Sequence, residues 1–177
     1  MENKAIIIGI GGVSCSGKSM FAEELSLHFR NSGYTAIAIN QDDYVYPVAG
    51  IPVVKGHTDW ECPESIDFES FGEAIRDASL CYDVVIAGGL MVFREPSVYD
   101  MFDFRIFIEL TRSEFKRRKR KDLRWGREPE WYIDHIWDSY LKYGQYPRGL
   151  KPDLLLDGDE AFDFGQITNI IISEIND

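Results

Sequence analysis

The chain has 177 residues, 45% hydrophobic and 28% charged, a size and balance that suit one soluble globular domain with a sizeable core. Its 30 acidic residues outnumber 19 lysines and arginines, and the net charge of −11 argues against a general binder of nucleic acid or of a membrane surface. Three cysteines, Cys15, Cys62 and Cys81, lack metal-ligand spacing and read as free thiols of a reducing cytosol. The N-terminal MENKAIIIGI has too short an apolar run for a signal peptide, and nothing approaches the roughly 20 apolar residues that span a bilayer, so a cytoplasmic protein is expected.

Apolar runs alternate with helix-period segments. AIIIGI (5–10) reads as a strand buried on both faces, and SMFAEELSLHF (19–29) as a helix with Phe21, Leu25 and Phe29 inward. NSGY (31–34) stops that helix, TAIAIN (35–40) is a second strand and FESFGEAIRDA (68–78) a second helix. DVVIAG (83–88), FRIFIEL (104–110) and DLLLDG (153–158) supply three more strands, and helices are expected over 113–121, 130–143 and 163–175. Strands separated by helices predict an α/β fold: a five-stranded parallel sheet with helices on both faces and ligands beyond the carboxyl ends of the strands. The stretch 43–64 carries no clear element and reads as a binding loop.

Residues 12–19, GVSCSGKS, follow the first strand directly and fit G-x-x-x-x-G-K-[ST]. The alternative is a plain Gly-Ser turn, but the position between a buried strand and a helix favours a phosphate cradle. Its glycines let successive amides point at phosphate oxygens, and the following helix adds its positive end. Gly12, Val13, Ser14, Cys15, Ser16, Gly17, Lys18, Ser19 and Met20 are therefore the expected nucleotide-binding residues. Lys18 can reach the β- and γ-phosphates and Ser19 can ligate Mg²⁺.

The second strand runs into QDDYVYP (41–47). A carboxylate there, Asp42, can take the proton of an acceptor hydroxyl as it attacks the γ-phosphate, unless Asp42 and Asp43 merely open a turn. In DWECPESIDF (59–68), Glu61 can grip a ribose diol and Trp60 can stack on a base, although Trp60 can equally anchor the loop on the core. The stretch 112–127 holds nine of the 19 basic residues, a local cluster suited to a small polyanion.

The cradle, QDDY, DWECPESIDF, GLMVF (89–93), FKRRKR (115–120) and WYIDHIWDSYLKY (131–143) occur in the order seen in nicotinamide riboside kinases, a branch of the uridine kinase-like P-loop kinases. The chain resembles them over about residues 5–160. The resemblance implies ATP-dependent phosphorylation of the 5′-hydroxyl of nicotinamide riboside to nicotinamide mononucleotide, a step of NAD salvage. It makes Asp42 and Lys18 catalytic, and Asp42, Asp43, Tyr44, Trp60, Glu61 and Arg124 substrate-binding. It also implies an arginine-rich lid at about 118–130, in which Arg118, Arg120, Arg124 and Arg127 close over the triphosphate. An exposed basic face paired with Glu114, Asp122 and Glu128 is the other reading of that segment. ATP and Mg²⁺ are the expected cofactors, and the expected partner is a small nucleoside, with neither nucleic acid nor membrane, in a monomer or weak homodimer.

The pattern breaks at the third strand's end, where the family has an acid before glycine that helps hold the Mg²⁺ water shell. Here Gly88-Gly89 stands instead, and Asp83 begins the same strand, roughly 17 Å away at about 3.3 Å per residue. Tyr46 replaces a basic residue of the family. A uridine- or cytidine-type kinase, or a nucleotide-binding pseudokinase, are the alternatives this leaves. His135 reads as packed rather than catalytic, and DGDE (157–160) as a helix cap near the adenine.

Overall fold

The computed structural model describes residues 4–124 and 126–176, so Trp125, within the expected lid, lies outside the described residues. In chain order the elements are β1 (Ile6–Gly12), α1 (Lys18–Asn31), β2 (Ala36–Asn40), β3 (Val53–Val54), β4 (His57–Thr58) and α2 (Phe68–Ser79). There follow β5 (Val84–Gly88), α3 (Pro96–Tyr99), β6 (Phe104–Glu109), α4 (Arg112–Lys121), α5 (Glu130–Ser139), β7 (Leu154–Asp157) and α6 (Phe164–Asn176). The five long strands form one parallel sheet in the order β2-β5-β1-β6-β7, as the alternation of strands and helices predicts.

β1 and β5 are buried almost throughout because helices cover both faces, which is why they read as unbroken apolar runs. On one face Ile8 and Ile10 meet Phe21, Leu25 and Phe29 of α1 and Ile167 and Ile171 of α6. Phe21, Leu25 and Phe29 are fully buried, as their helical spacing predicts, each contributing about 1.5–3 kcal/mol of apolar transfer. On the other face Ile7 and Val85 pack with Phe71 and Ile75 of α2, Phe93, Phe107, and Ile133 and Ile136 of α5.

Register places the site. Gly88 pairs with Ile10 on one side and Asn40 on the other, so β2 and β5 end together and β1 runs two residues further, to Gly12 beside Ile108 of β6. The sequence direction of the sheet reverses about β1, and the crevice at such a reversal is where parallel sheets hold ligands.

Two elements differ from expectation. The stretch 43–64 is not structureless: it holds the antiparallel hairpin β3–β4 and short helical turns at Val48–Gly50 and Pro63–Ser65. Two-residue strands are too short to leave an alternating pattern. The helix expected over 130–143 ends at Ser139 and passes into a wider turn, Tyr140–Gly144. That turn carries Gly144 against Leu90, whose carbonyl oxygen would stand 2.9 Å from an added Cβ.

Candidate active site

The donor side is built from consecutive residues. β1 ends at Gly12, whose φ of 144° suits glycine and where a Cβ would stand 2.4 Å from the Ile108 carbonyl oxygen. The loop turns through Cys15 (φ 61°) and Gly17 (φ 93°) into α1. Asp67 and Thr111 cap α2 and α4 by accepting from the Ser70 and Glu114 amides, whereas no side chain caps α1 at Gly17. Its first amides are left for an anion. Ser16 is 1% exposed and its hydroxyl has no partner among the described residues. Lys18 folds back so that Nζ donates to the Val13 carbonyl at 2.7 Å. Burial pulls the Lys18 ammonium below its usual range, and the fields of Asp42, Cys15 and Glu61 oppose that. Burial likewise pushes the Cys15 thiol up, which suits a backbone contributor and not a nucleophile. Met20 is exposed beside the cradle.

The acceptor side is assembled from distant segments. β2 ends at Asn40, whose Oδ1 accepts from the Asp42 amide at 3.3 Å and opens the helical turn Gln41–Asp43. Asp42 and Asp43 are exposed, and neither carboxylate makes a hydrogen bond or ion pair among the described residues. The two acids do open a turn, and their carboxylates are left free of protein partners among the described residues. Gln41, missed in the sequence, anchors this turn. It is fully buried, and its Oε1 accepts from the Met91 amide at 3.0 Å beyond β5. A Cβ on Gly89 would stand 2.4 Å from that Oε1, so Gly89 is glycine because Gln41 lies against it. Tyr44 turns toward the core, its ring 5.6 Å from that of Phe71.

Asp59 holds the next loop in place. Its Oδ1 accepts from the Glu61 amide at 3.1 Å and lies 2.8 Å from His135 Nε2 on α5. The Tyr132 hydroxyl donates to the Thr58 carbonyl at 3.3 Å, and its ring stacks on His57 at 5.5 Å. The aromatic face of α5 thus clamps the acceptor loop, and His135 is a tie to that loop. Trp60 remains 41% exposed. Burial pushes Glu61 up to about 7, with Lys119 opposing and Asp42, Glu128 and Asp59 adding to the rise. Lys18, Asp42 and Glu61 therefore share one electrostatic neighbourhood, and Arg124 feels the Asp42 field as well.

Between the strand ends lies a cavity of about 200 Å³, lined among others by Ser19, Glu23, Asn40, Asp43 and Gly88. A Cβ on Gly88 would meet nothing closer than the Ile10 carbonyl oxygen at 3.7 Å. Unlike Gly89, Gly88 is not required by its neighbours.

Three of the expected lid arginines, Arg118, Arg120 and Arg124, are held by acids and carbonyls. Arg118 donates to Glu114, to Asp159 Oδ1 at 3.1 Å, and to the carbonyls of Gly158 at 2.9 Å and Cys15 at 3.3 Å. It ties the cradle to the loop after β7, so DGDE supplies its partners, while the cap of α6 is Asp163, which accepts from the Gln166 amide. Arg120 pairs with Glu130, and Arg124 is bidentate on Asp122 at 2.8 and 2.7 Å. Arg127 lines a cavity of about 240 Å³ with Lys119, Arg120 and Glu128. Among the described residues the one deeply buried cation of the segment is Lys119, 7% exposed, which the sequence did not single out.

Fold and cradle are those of a P-loop phosphate-binding protein, and the kinases it is similar to make it an ATP-dependent phosphotransferase of the nucleoside kinase class. No family model matches the chain. It is 27% identical to nicotinamide riboside kinase 1 of Homo sapiens over 97% of this chain and 94% of that protein. It is 28% identical to a uridine kinase of Leuconostoc citreum over 70% and 71%. A solved structure of a possible uridine kinase from Bacillus stearothermophilus superposes with a TM-score of 0.61 and 17% identity, covering 89% of this chain and 91% of that one. The chain is thus similar over most of its length to nicotinamide riboside kinases and, less extensively, to uridine kinases.

Proposed function

We propose that the protein transfers the γ-phosphoryl group of ATP to the 5′-hydroxyl of nicotinamide riboside, giving nicotinamide mononucleotide. The observation that carries this is the meeting of Lys18, Asp42 and Glu61 in one field, from segments far apart in the chain. Their chemistry divides without overlap. The cradle amides and Lys18 hold the donor, with Lys18 exchanging the Val13 carbonyl for phosphate oxygens. Asp42, free of other partners, orients the acceptor hydroxyl and takes its proton. Glu61 accepts hydrogen bonds from the ribose diol, and Trp60 covers the base. Asp42, Asp59, Glu61 and Glu128 gather negative charge on the acceptor side, which favours a cationic pyridinium over a neutral pyrimidine. The domain is the single unit 1–177; Arg118, Arg120 and Arg124 exchange their acids for phosphate as the lid closes, and Arg127 joins them from the cavity it lines.

A divalent cation fits beside the cradle. Ser19 and Asn40 line the cavity at Gly88 with oxygen donors, and the space there suits a hard ion that keeps most of its water. Ser19 would hold it, and Mg²⁺ bound there would neutralise charge developing on the transferred phosphoryl group. Few protein ligands are needed, so Gly88 is compatible with activity.

The test is a panel of nicotinamide riboside, uridine and cytidine with ATP and Mg²⁺, read as kcat/KM. The riboside should lead. Preference for uridine would transfer the reading to the pyrimidine kinases, and ATP binding without phosphorylation of any acceptor would overturn it.

A further inference from the structure

Two side chains from α4 and its end reach the donor cradle one helical turn apart. Arg118 donates to the Cys15 carbonyl at 3.3 Å, and the Asp122 carboxylate stands 3.7 Å from the Cys15 sulfur. Residues four apart on a helix share a face, so this row is laid against the loop that receives phosphate. An arginine suits such a loop. An acid does not, because a carboxylate carries the same sign of charge as the ligand.

Asp122 is nevertheless well covered, its side chain 10% exposed. Arg124 holds both of its oxygens: Oδ1 accepts from Nε at 2.8 Å and from the Arg124 amide at 3.2 Å, and Oδ2 from Nη2 at 2.7 Å. Lys119 Nζ adds a longer contact to Oδ2, at 4.0 Å. The Arg124 hydrogen bonds hold the Asp122 carboxyl well below the usual carboxylate range, so it stays an anion. The Arg124 side chain is itself 70% exposed. The acid is thus fixed beside the cradle, while the guanidinium that balances it has room to turn. The other acids paired with lid arginines differ. Glu114, on Arg118, and Glu130, on Arg120, touch no cradle residue among the described contacts, whereas Asp122 does.

We propose that Asp122 is a built-in competitor of the triphosphate: its carboxylate occupies Arg124 and lies against the cradle loop, latching the lid segment until the donor's phosphates displace it. The inference rests on the reading of residues 12–19 as a triphosphate cradle. It goes beyond the exchange of acids for phosphate by giving one acid an opposing effect on donor binding. Both parts of the latch act in the same direction. A carboxylate fixed beside the loop repels incoming phosphate. An arginine already bidentate on a carboxylate must also release two charge-assisted bonds before it makes two to phosphate. Asp122 and Arg124 are two residues apart, so the pair closes with little loop entropy and opens by rotation of one side chain. A triphosphate carries enough charge to win that competition. A nucleoside without phosphate gains nothing from it.

The experiment compares the full-length protein with Asp122→Asn, which keeps the shape and removes the charge. Calorimetric Kd values are measured for ATP, ADP and adenosine across a range of salt concentrations. Asp122→Asn should lower the ATP Kd about fivefold at low salt, and the gain should fade below about twofold near 1 M salt. The gain should fall in the order ATP, ADP, adenosine, with the adenosine Kd within about twofold of the parent. Without any ligand, amide hydrogen exchange over residues 118–124 should quicken about threefold or more in the variant. A raised or unchanged ATP Kd would overturn the proposal, since Asp122 would then hold Arg124 ready for phosphate instead of away from it. An equal gain for adenosine, or unchanged exchange over 118–124, would overturn it as well. If the parent binds neither ATP nor inorganic tripolyphosphate, the cradle reading falls and the latch with it. If the parent binds ATP and only the variant's gain is missing, the latch alone is lost. Should Asp122→Asn fail to fold, Asp122→Ser is expected to show the same signs and carries the test.

Discussion

The donor cradle and the acceptor side are encoded in opposite ways. The cradle is eight consecutive residues, 12–19, whose backbone does the work, and its geometry follows from two glycines and the junction of β1 with α1. The acceptor side gathers Asp42, Glu61, Lys119 and Glu128 from four segments. It is held by contacts with no sequence proximity, such as Gln41 to Met91 and Asp59 to His135. A local device tolerates change elsewhere, whereas an assembled one depends on every tie that aligns it. The difference also explains why phosphate handling is common to many P-loop kinases while acceptor choice varies among them.

The strongest way to break the comparison is Asp42→Asn. Loss of the proton acceptor should lower kcat by about 10²–10⁴ while ATP binding stays near the parent value, measured by steady-state kinetics and nucleotide titration. An Asn variant that turns over near the parent rate removes Asp42 from the chemistry. Smaller and opposite in sign is Gly88→Glu. The space beside Gly88 admits a side chain, so an acid there should raise kcat about tenfold and lower the Mg²⁺ concentration for half-maximal rate. Gly89→Ala makes the contrast sharp: crowding Gln41 should cost about 1–3 kcal/mol in denaturant unfolding. Smallest is Trp60→Ala, which should raise the riboside KM about 2–5-fold, the range of an exposed cation–π contact, and leave ATP KM unchanged. A loss of stability instead would show that Trp60 anchors the loop.

Sequence reading fared differently in the two regions, for physical reasons. The strands of the parallel sheet were legible because burial on both faces forces continuous apolar runs, and α1 because Phe21, Leu25 and Phe29 recur at its period. The hairpin β3–β4 escaped because two-residue strands carry no pattern. The basic stretch was legible as charge, but charge alone does not tell which cations face solvent. Arg118 spans the cradle and the loop after β7, Arg120 and Arg124 lie against acids, and Lys119 points inward. The phase of α4, with Phe115 at the same face, was the signal for Lys119, masked by the run of cations around it.

By itself the sequence determined that this chain folds as an α/β protein around a phosphate cradle, because that cradle is local backbone geometry written in glycine and lysine. It also placed an acid at the end of β2. Which acids share a field, which cation is buried among them and which of two adjacent glycines is dispensable were decided only by tertiary packing. Those properties depend on distances between segments, and the loops that carry them have no periodicity from which such distances can be read.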